Sequence, residues 1–159
     1  MATIKKKFIG DKQFGGFTPY GNVTTIRATL QTNSTGAAIN SDSAAAIAVG
    51  DVVVLEKLPE GFLLEDAQVI VSTGMTATAT GSLGFIYADG VDSTAVPQDA
   101  AYFGAALDGA TAARIRTAST KAPVRLAKEA YLVWTQGVIA NAKASRIDVI
   151  VHGERMGPN

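Results

Sequence analysis

The sequence predicts an all-β protein: a β-sandwich or jelly roll of about eight strands with one short helix and an extended N-terminal arm. Two observations carry this. From Gly50 to Thr73 two β-rich runs are joined by the turn Leu58 to Gly61. Short branched runs separated by turn signals then recur to the C-terminus, a rhythm that favours two packed sheets over one open sheet. No repeat of fixed period is visible, which argues against solenoids and propellers.

Residues 1–22 read as the arm and 23–159 as the sandwich domain. In the arm, Lys5, Lys6 and Lys7 precede Phe8, Phe14, Phe17 and Tyr20, with glycines at 10, 15, 16 and 21 between them. So many glycines break both helical and strand periodicity, while four aromatics are too many for a freely solvated tail. Ring burial alone does not offset the backbone entropy of fixing such a segment. Backbone hydrogen bonds, by strand addition to its own body or to a partner, would have to supply the remainder.

The first body strand runs Val23 to Thr32, where Ile26, Ala28 and Leu30 alternate with Arg27 and Thr29. A polar stretch from Asn33 to Ser43 reads as an exposed loop. In Ile47 to Lys57 the run Val52 to Leu55 suits a strand covered on both faces. Pro59 and Gly61 then make a tight reversal.

In Phe62 to Thr73, Ala67, Val69 and Val71 point one way while Gln68, Ile70 and Ser72 point the other. Ser82 to Ala88 follows, closed by the turn pair Asp89 and Gly90, and the succession reads as a meander. From Pro97 to Gly109 an Asp99-capped helix competes with an irregular strand, and one or two helical turns are expected. Strands resume at Ala113 to Ala118, Val124 to Lys128, Tyr131 to Gln136 and Ser145 to His152.

At 159 residues the chain fits one domain with a core that needs no disulfide or metal. Cysteine is absent, which excludes a disulfide framework and thiolate zinc. Fourteen basic and fourteen acidic residues cancel, arguing against nucleic-acid binding by the whole surface. The three lysines of the arm, with Lys12, would make only a few salt-sensitive phosphate contacts. No apolar run is long enough to span a membrane, and no apolar core follows the N-terminal lysines, so a soluble product without a signal peptide is expected. Abundant small residues suit a surface meant to be packed against others.

The search for chemistry ends without an active site. His152 is the one histidine, which forbids a multi-histidine metal site. Asp148 shares its strand face but lies about 13 Å away, beyond direct bonding, and there is no G-x-S-x-G elbow. Asp89, Asp92 and Asp99 could offer oxygens to calcium, yet their spacing matches no EF-hand and a hydrated turn is the simpler reading. Glu65 and Asp66 are adjacent and face opposite sides, unlike a glycosidase pair, although Glu56 could face either. Gly81 to Gly84 lacks the lysine or third glycine of a phosphate loop and leads into a strand. Trp134 reads as packing in preference to a sugar platform. No catalytic residue, metal or cofactor is assigned.

The order of elements is itself a clue: the glycine and aromatic arm, the strand Gly50 to Val54, the turn Leu58 to Gly61, the valine-rich strand, then Gly84 to Tyr87 and Asp99 to Phe103. In this layout, over residues 20–154, the chain resembles the small β-rich capsid decoration or cement proteins of tailed bacteriophages. The resemblance implies a non-enzymatic virion protein, made in the host cytoplasm. It would sit as a dimer or trimer on the outside of the expanded capsid and cement neighbouring capsomers of the major capsid protein against internal DNA pressure. Lys5, Lys6, Lys7, Phe8, Phe14, Phe17 and Tyr20 are then the candidate partner-binding residues, with no nucleic acid and no membrane as partners. The alternatives are a carbohydrate-binding sandwich using Trp134 or Tyr102, a tail or fibre subunit, and a small hydrolase using His152.

Overall fold

The computed structural model describes residues 1–5 and 23–157. Among them are ten strands and no helix: β1 (Thr3–Lys5), β2 (Val23–Thr32), β3 (Val52–Leu58), β4 (Phe62–Thr73), β5 (Thr80–Tyr87), β6 (Asp99–Asp108), β7 (Ala113–Arg116), β8 (Val124–Arg125), β9 (Ala130–Gly137) and β10 (Ser145–Arg155). The first sheet has the order β1-β3-β9-β5-β6. The second has β2-β10-β4-β7, with β8 also paired to β4.

Both sheets turn their apolar positions onto one shared core. From the first come Val53, Leu55, Leu83, Phe85, Leu132 and Trp134, and from the second Ile26, Leu30, Val69, Val71, Ile147 and Val149. The alternation read in β4 holds: Ala67, Val69 and Val71 are buried while Gln68 and Ile70 are half-exposed and Ser72 is exposed. The valine run of β3 is covered on both faces. Val53 and Leu55 enter the shared core, whereas Val52 and Val54 join Val133 in a second cluster on the outer face, against Ile86, Ala100 and Tyr131.

The expected meander is not formed. The turn after Leu58 carries the chain from one sheet to the other, so β3 and β4 are not paired, and β5 returns to the first sheet. Gly61 has φ +71° there, and its N–H donates to Leu126 O at 2.9 Å. Crossing between sheets lets each strand pair with partners distant in the chain while its apolar face stays inward.

The helix expected from Asp99 is instead strand β6, antiparallel to β5. Alanine is the best helix former, but intrinsic propensity is small per residue and tertiary packing overrides it. The open edge of β5 needs a hydrogen-bonding partner, and Tyr102 completes an edge-to-face chain of rings with Phe85 at 5.6 Å and Phe103 at 4.9 Å. The local signal was a turn: Asp99 Oδ1 accepts Ala101 N–H at 2.9 Å. The loop expected to be exposed from Asn33 to Ser43 is also partly buried. Ala37 and Ala38 enter the body and bridge to Ala46 and Thr32.

Candidate assembly surface

The N-terminus is woven into the sandwich. Thr3, Ile4 and Lys5 pair in parallel with Val52, Val53 and Val54, and Ile4 is buried in the shared core. Two carboxylates latch the strand: Asp51 Oδ1 accepts Ala2 N–H at 2.8 Å, and Asp42 Oδ1 accepts Lys5 N–H at 2.9 Å. Asp51 also accepts Ala48 N–H through Oδ2, so this buried carboxylate ties the strand to the loop before β3. Lys5 therefore has a fixed backbone, and its Nζ lies 5.7 Å from the Tyr131 ring centre, beside the outer cluster of Val54 and Val133. The other predicted contacts, Lys6, Lys7, Phe8, Phe14, Phe17 and Tyr20, lie outside the described residues. Their segment leaves from β1 on one sheet and joins β2 on the other.

His152 and Asp148, the pair considered for nucleophile activation, each face other partners. His152 stands opposite Thr25 and Asp66 in register, and its Nδ1 lies 3.4 Å from Thr25 Oγ1. Asp148 is engaged elsewhere, accepting Thr29 Oγ1–H at 2.6 Å and Arg146 Nε–H at 3.0 Å. Partial burial pushes the Asp148 carboxyl up, but the bonds from Arg146 and Thr29 and the Arg146 charge together hold it below the usual carboxylate range.

The loop with Asp89 and Asp92 is closed by an ammonium: Lys128 Nζ donates to Asp89 Oδ2 at 2.6 Å and to Val91 O at 2.8 Å, and lies 4.8 Å from the Tyr87 ring centre. That hydrogen bond holds the Asp89 carboxyl below its ordinary value. No cluster of ligating side chains suited to a metal occurs among the described residues.

Neither ring proposed for sugar stacking is open. Trp134 is fully buried, and the Tyr102 hydroxyl, a single donor, lies between two carbonyl acceptors, Ala122 O at 2.9 Å and Leu64 O at 3.2 Å, its burial raising the phenol. The glycines at 81 and 84 make room for packing. A Cβ on Gly81 would lie 2.0 Å from the Trp134 ring, and one on Gly84 would lie 2.1 Å from Asp99 O.

Sequence reasoning missed a strained apolar turn at the end of β9. Ile139 N–H donates to Gly137 O at 2.7 Å across Val138, whose φ is +60°. A three-residue turn of this hand is rare, and a branched residue there costs about 1–3 kcal/mol. The turn is held from inside: Trp134 Nε1–H donates to Gln136 Oε1 at 3.1 Å, and Gln136 Nε2–H donates to Ile139 O at 2.8 Å. Val138 is 67% exposed and Ile139 39%, with Val49 (54%) on the adjoining segment, where Gly50 N–H donates to Gln136 O. A valine next to a glycine at the end of a strand run gave no sign of this conformation.

No family model matches this chain, and no curated protein matches it. Among solved structures, a chain of "Capsid of Ralstonia phage GP4" superposes with a TM-score of 0.65 at 16% identity, covering 98% of this chain and 99% of that one. The fold is shared with phage capsid chains. A chain of "Cyanophage Pam1 capsid asymmetric unit" superposes with a TM-score of 0.57 at 12% identity, over 90% of this chain and 92% of that one. At these identities the likeness is one of fold, end to end, with no residue roles transferred.

Proposed function

We propose that the chain is a structural protein of a phage virion that binds the outside of the expanded capsid and cements neighbouring capsomers of the major capsid protein. The observation that carries the reading is the fold shared over nearly the full length of both chains with one from the Ralstonia phage GP4 capsid structure. Many copies on a closed shell let modest individual affinities oppose internal pressure together.

We also read the body as a jelly roll, supported by the strand orders β2-β10-β4-β7 and β3-β9-β5-β6, a double-sheet roll of eight strands with β1 added at one edge. Segment 6–22 is the arm in this account, with Lys5 as its fixed root and Lys6, Lys7, Phe8, Phe14, Phe17 and Tyr20 as contacts to the coat or to a neighbouring copy. Ile4 belongs to the core, so a test of the arm leaves β1 intact. Phe8, Phe14, Phe17 and Tyr20 are replaced together by serine, and binding to expanded, undecorated heads is measured by co-sedimentation. Loss of occupancy with unchanged melting of the free protein is expected; native occupancy would remove the arm from the account.

A further inference from the structure

The cations of the chain are sorted by sheet. Every arginine stands in a strand of the second sheet: Arg27 in β2, Arg114 and Arg116 in β7, Arg125 in β8, Arg146 and Arg155 in β10. No lysine does. Lys5 and Lys57 belong to β1 and β3 of the first sheet, and Lys121, Lys128 and Lys143 lie between strands. A solvated face is served equally by either side chain. Protein interfaces are selective, being enriched in arginine, whose planar and weakly hydrated guanidinium forks onto a carboxylate, and depleted in lysine.

The register places most of these arginines on the outer face of that sheet. Ala28, Val149 and Val69 are buried and Ile115 packs against the same core, so their neighbours in each strand turn outward. Arg27, Ile150, Gln68 and Arg116 form one cross-strand row, and Thr29, Asp148, Ile70 and Arg114 form the next. Half-exposed Ile70 and Ile150 therefore sit on the two central strands, between exposed arginines on the two edge strands, β2 and β7. Three strand spacings, roughly 14 Å, separate those edges. Arg116 pairs with Asp66, and Arg146 with Asp148. Arg27 and Arg114 make no ion pair among the described residues, Arg114 donating to Gln68 Oε1 at 3.2 Å.

We propose that the outer face of β2-β10-β4-β7 is a contact with the shell, taking a protein surface of the coat whose carboxylates meet Arg27 and Arg114 and whose apolar side chains cover Ile70 and Ile150. This rests on the reading that the chain binds a phage capsid. Charge complementarity sets the chemistry of the partner: the two rows carry Arg27, Arg114 and Arg116 against the single carboxylate of Asp148, a positive surplus on a chain that nets zero. A nucleic-acid backbone fits less well. Asp66 and Asp148 would meet its phosphates with like charge, and the two isoleucines would find no apolar surface to cover them.

The test is co-sedimentation of the full chain with expanded, undecorated heads over a concentration series. Arg27→Glu with Arg114→Glu reverses the two charges that have no ion-pair partner, and Arg27→Gln with Arg114→Gln removes them without reversal. All of these positions are exposed, so both variants are expected to melt like the parent. The glutamate variant is expected to bind heads roughly tenfold or more weakly, with the glutamine variant between it and the parent. Parent binding is expected to weaken as salt is raised.

Variants that bind heads like the parent overturn this proposal alone and leave the shell reading standing. A parent that ignores heads removes both. Sedimentation equilibrium that shows the parent self-associating and the glutamate variant monomeric would assign the face to a second copy, which overturns the proposal. Binding of the parent to a random-sequence DNA duplex, lost in the glutamate variant, would assign it to phosphates and overturn it as well.

Discussion

The Trp134 indole lies where any side chain on Gly81 would have to be: a Cβ built there falls 2.0 Å from Cε2. Gly81 is opposite Gln136 in the β5–β9 ladder, and Leu83 is opposite Trp134, so the ring is laid along β5 toward the missing side chain. Trp134 then sends its N–H to Gln136, and Gln136 reaches Ile139. One glycine thereby seats the largest buried side chain and, through it, the exposed turn.

Gly81→Ala is expected to destabilise the fold by about 1–3 kcal/mol, the usual cost of forcing extra atoms into a packed core. Chemical denaturation checks this, with a lowered midpoint at unchanged slope as the expected outcome. An unchanged midpoint would mean that the indole can move aside at no cost.

Asp51 holds two backbone N–H groups, those of Ala2 and Ala48, from a buried position. Asp51→Ala leaves both without that acceptor, which costs about 1–3 kcal/mol. Faster amide exchange at Ala2 and Ile4, out of proportion to the change at β10, is the signature of a released β1. Uniform acceleration across the sheets would argue instead for global loosening.

Asp148 supplies a pH dependence whose sign follows from its lowered carboxyl. A folded value below the unfolded one means that the ion contributes stability in full above about pH 4. That contribution is lost as the pH falls through the folded value. Melting measured from pH 6 to pH 2 should therefore drop less steeply in Asp148→Asn than in the parent. Identical acid limbs would show that Arg146 and Thr29 do not hold the charge in solution.

Val138→Gly removes the branched side chain from a positive-φ turn. Relief of strain is opposed by the greater freedom of glycine in the unfolded chain, so the net effect is expected to lie between neutral and about 1 kcal/mol stabilising. Thermal melting decides it. A clear loss of stability would show that Val138 packs on its own molecule.

The sequence made most of the sandwich legible because its strands carry their burial pattern in the chain. β2 and β4 alternate so regularly that the expected bounds, Val23 to Thr32 and Phe62 to Thr73, are those observed. β1 has only three residues, too few to show a period, and is defined by Asp51, Asp42 and the edge of β3. β6 was hidden by alanine-rich composition, since the force that makes it a strand comes from β5 and from the ring of Tyr102. Sheet pairing was not legible either, because a tight turn at Pro59 serves a crossing between sheets as well as a hairpin. Of the candidate contacts, Lys5 is the one among the described residues and stands in β1 opposite Val54, while the Val138 turn depends on an internal hydrogen bond that sequence does not display.

The function proposed for this protein is to bind the outside of a phage head and reinforce it. The direct measurement is co-sedimentation of the purified chain with expanded, undecorated heads, followed by the melting of those heads. Saturable binding at a fixed stoichiometry, with heads that melt at a higher temperature than bare ones, is the predicted result. A folded chain that stays in the supernatant at every concentration and leaves head melting unchanged would contradict the account.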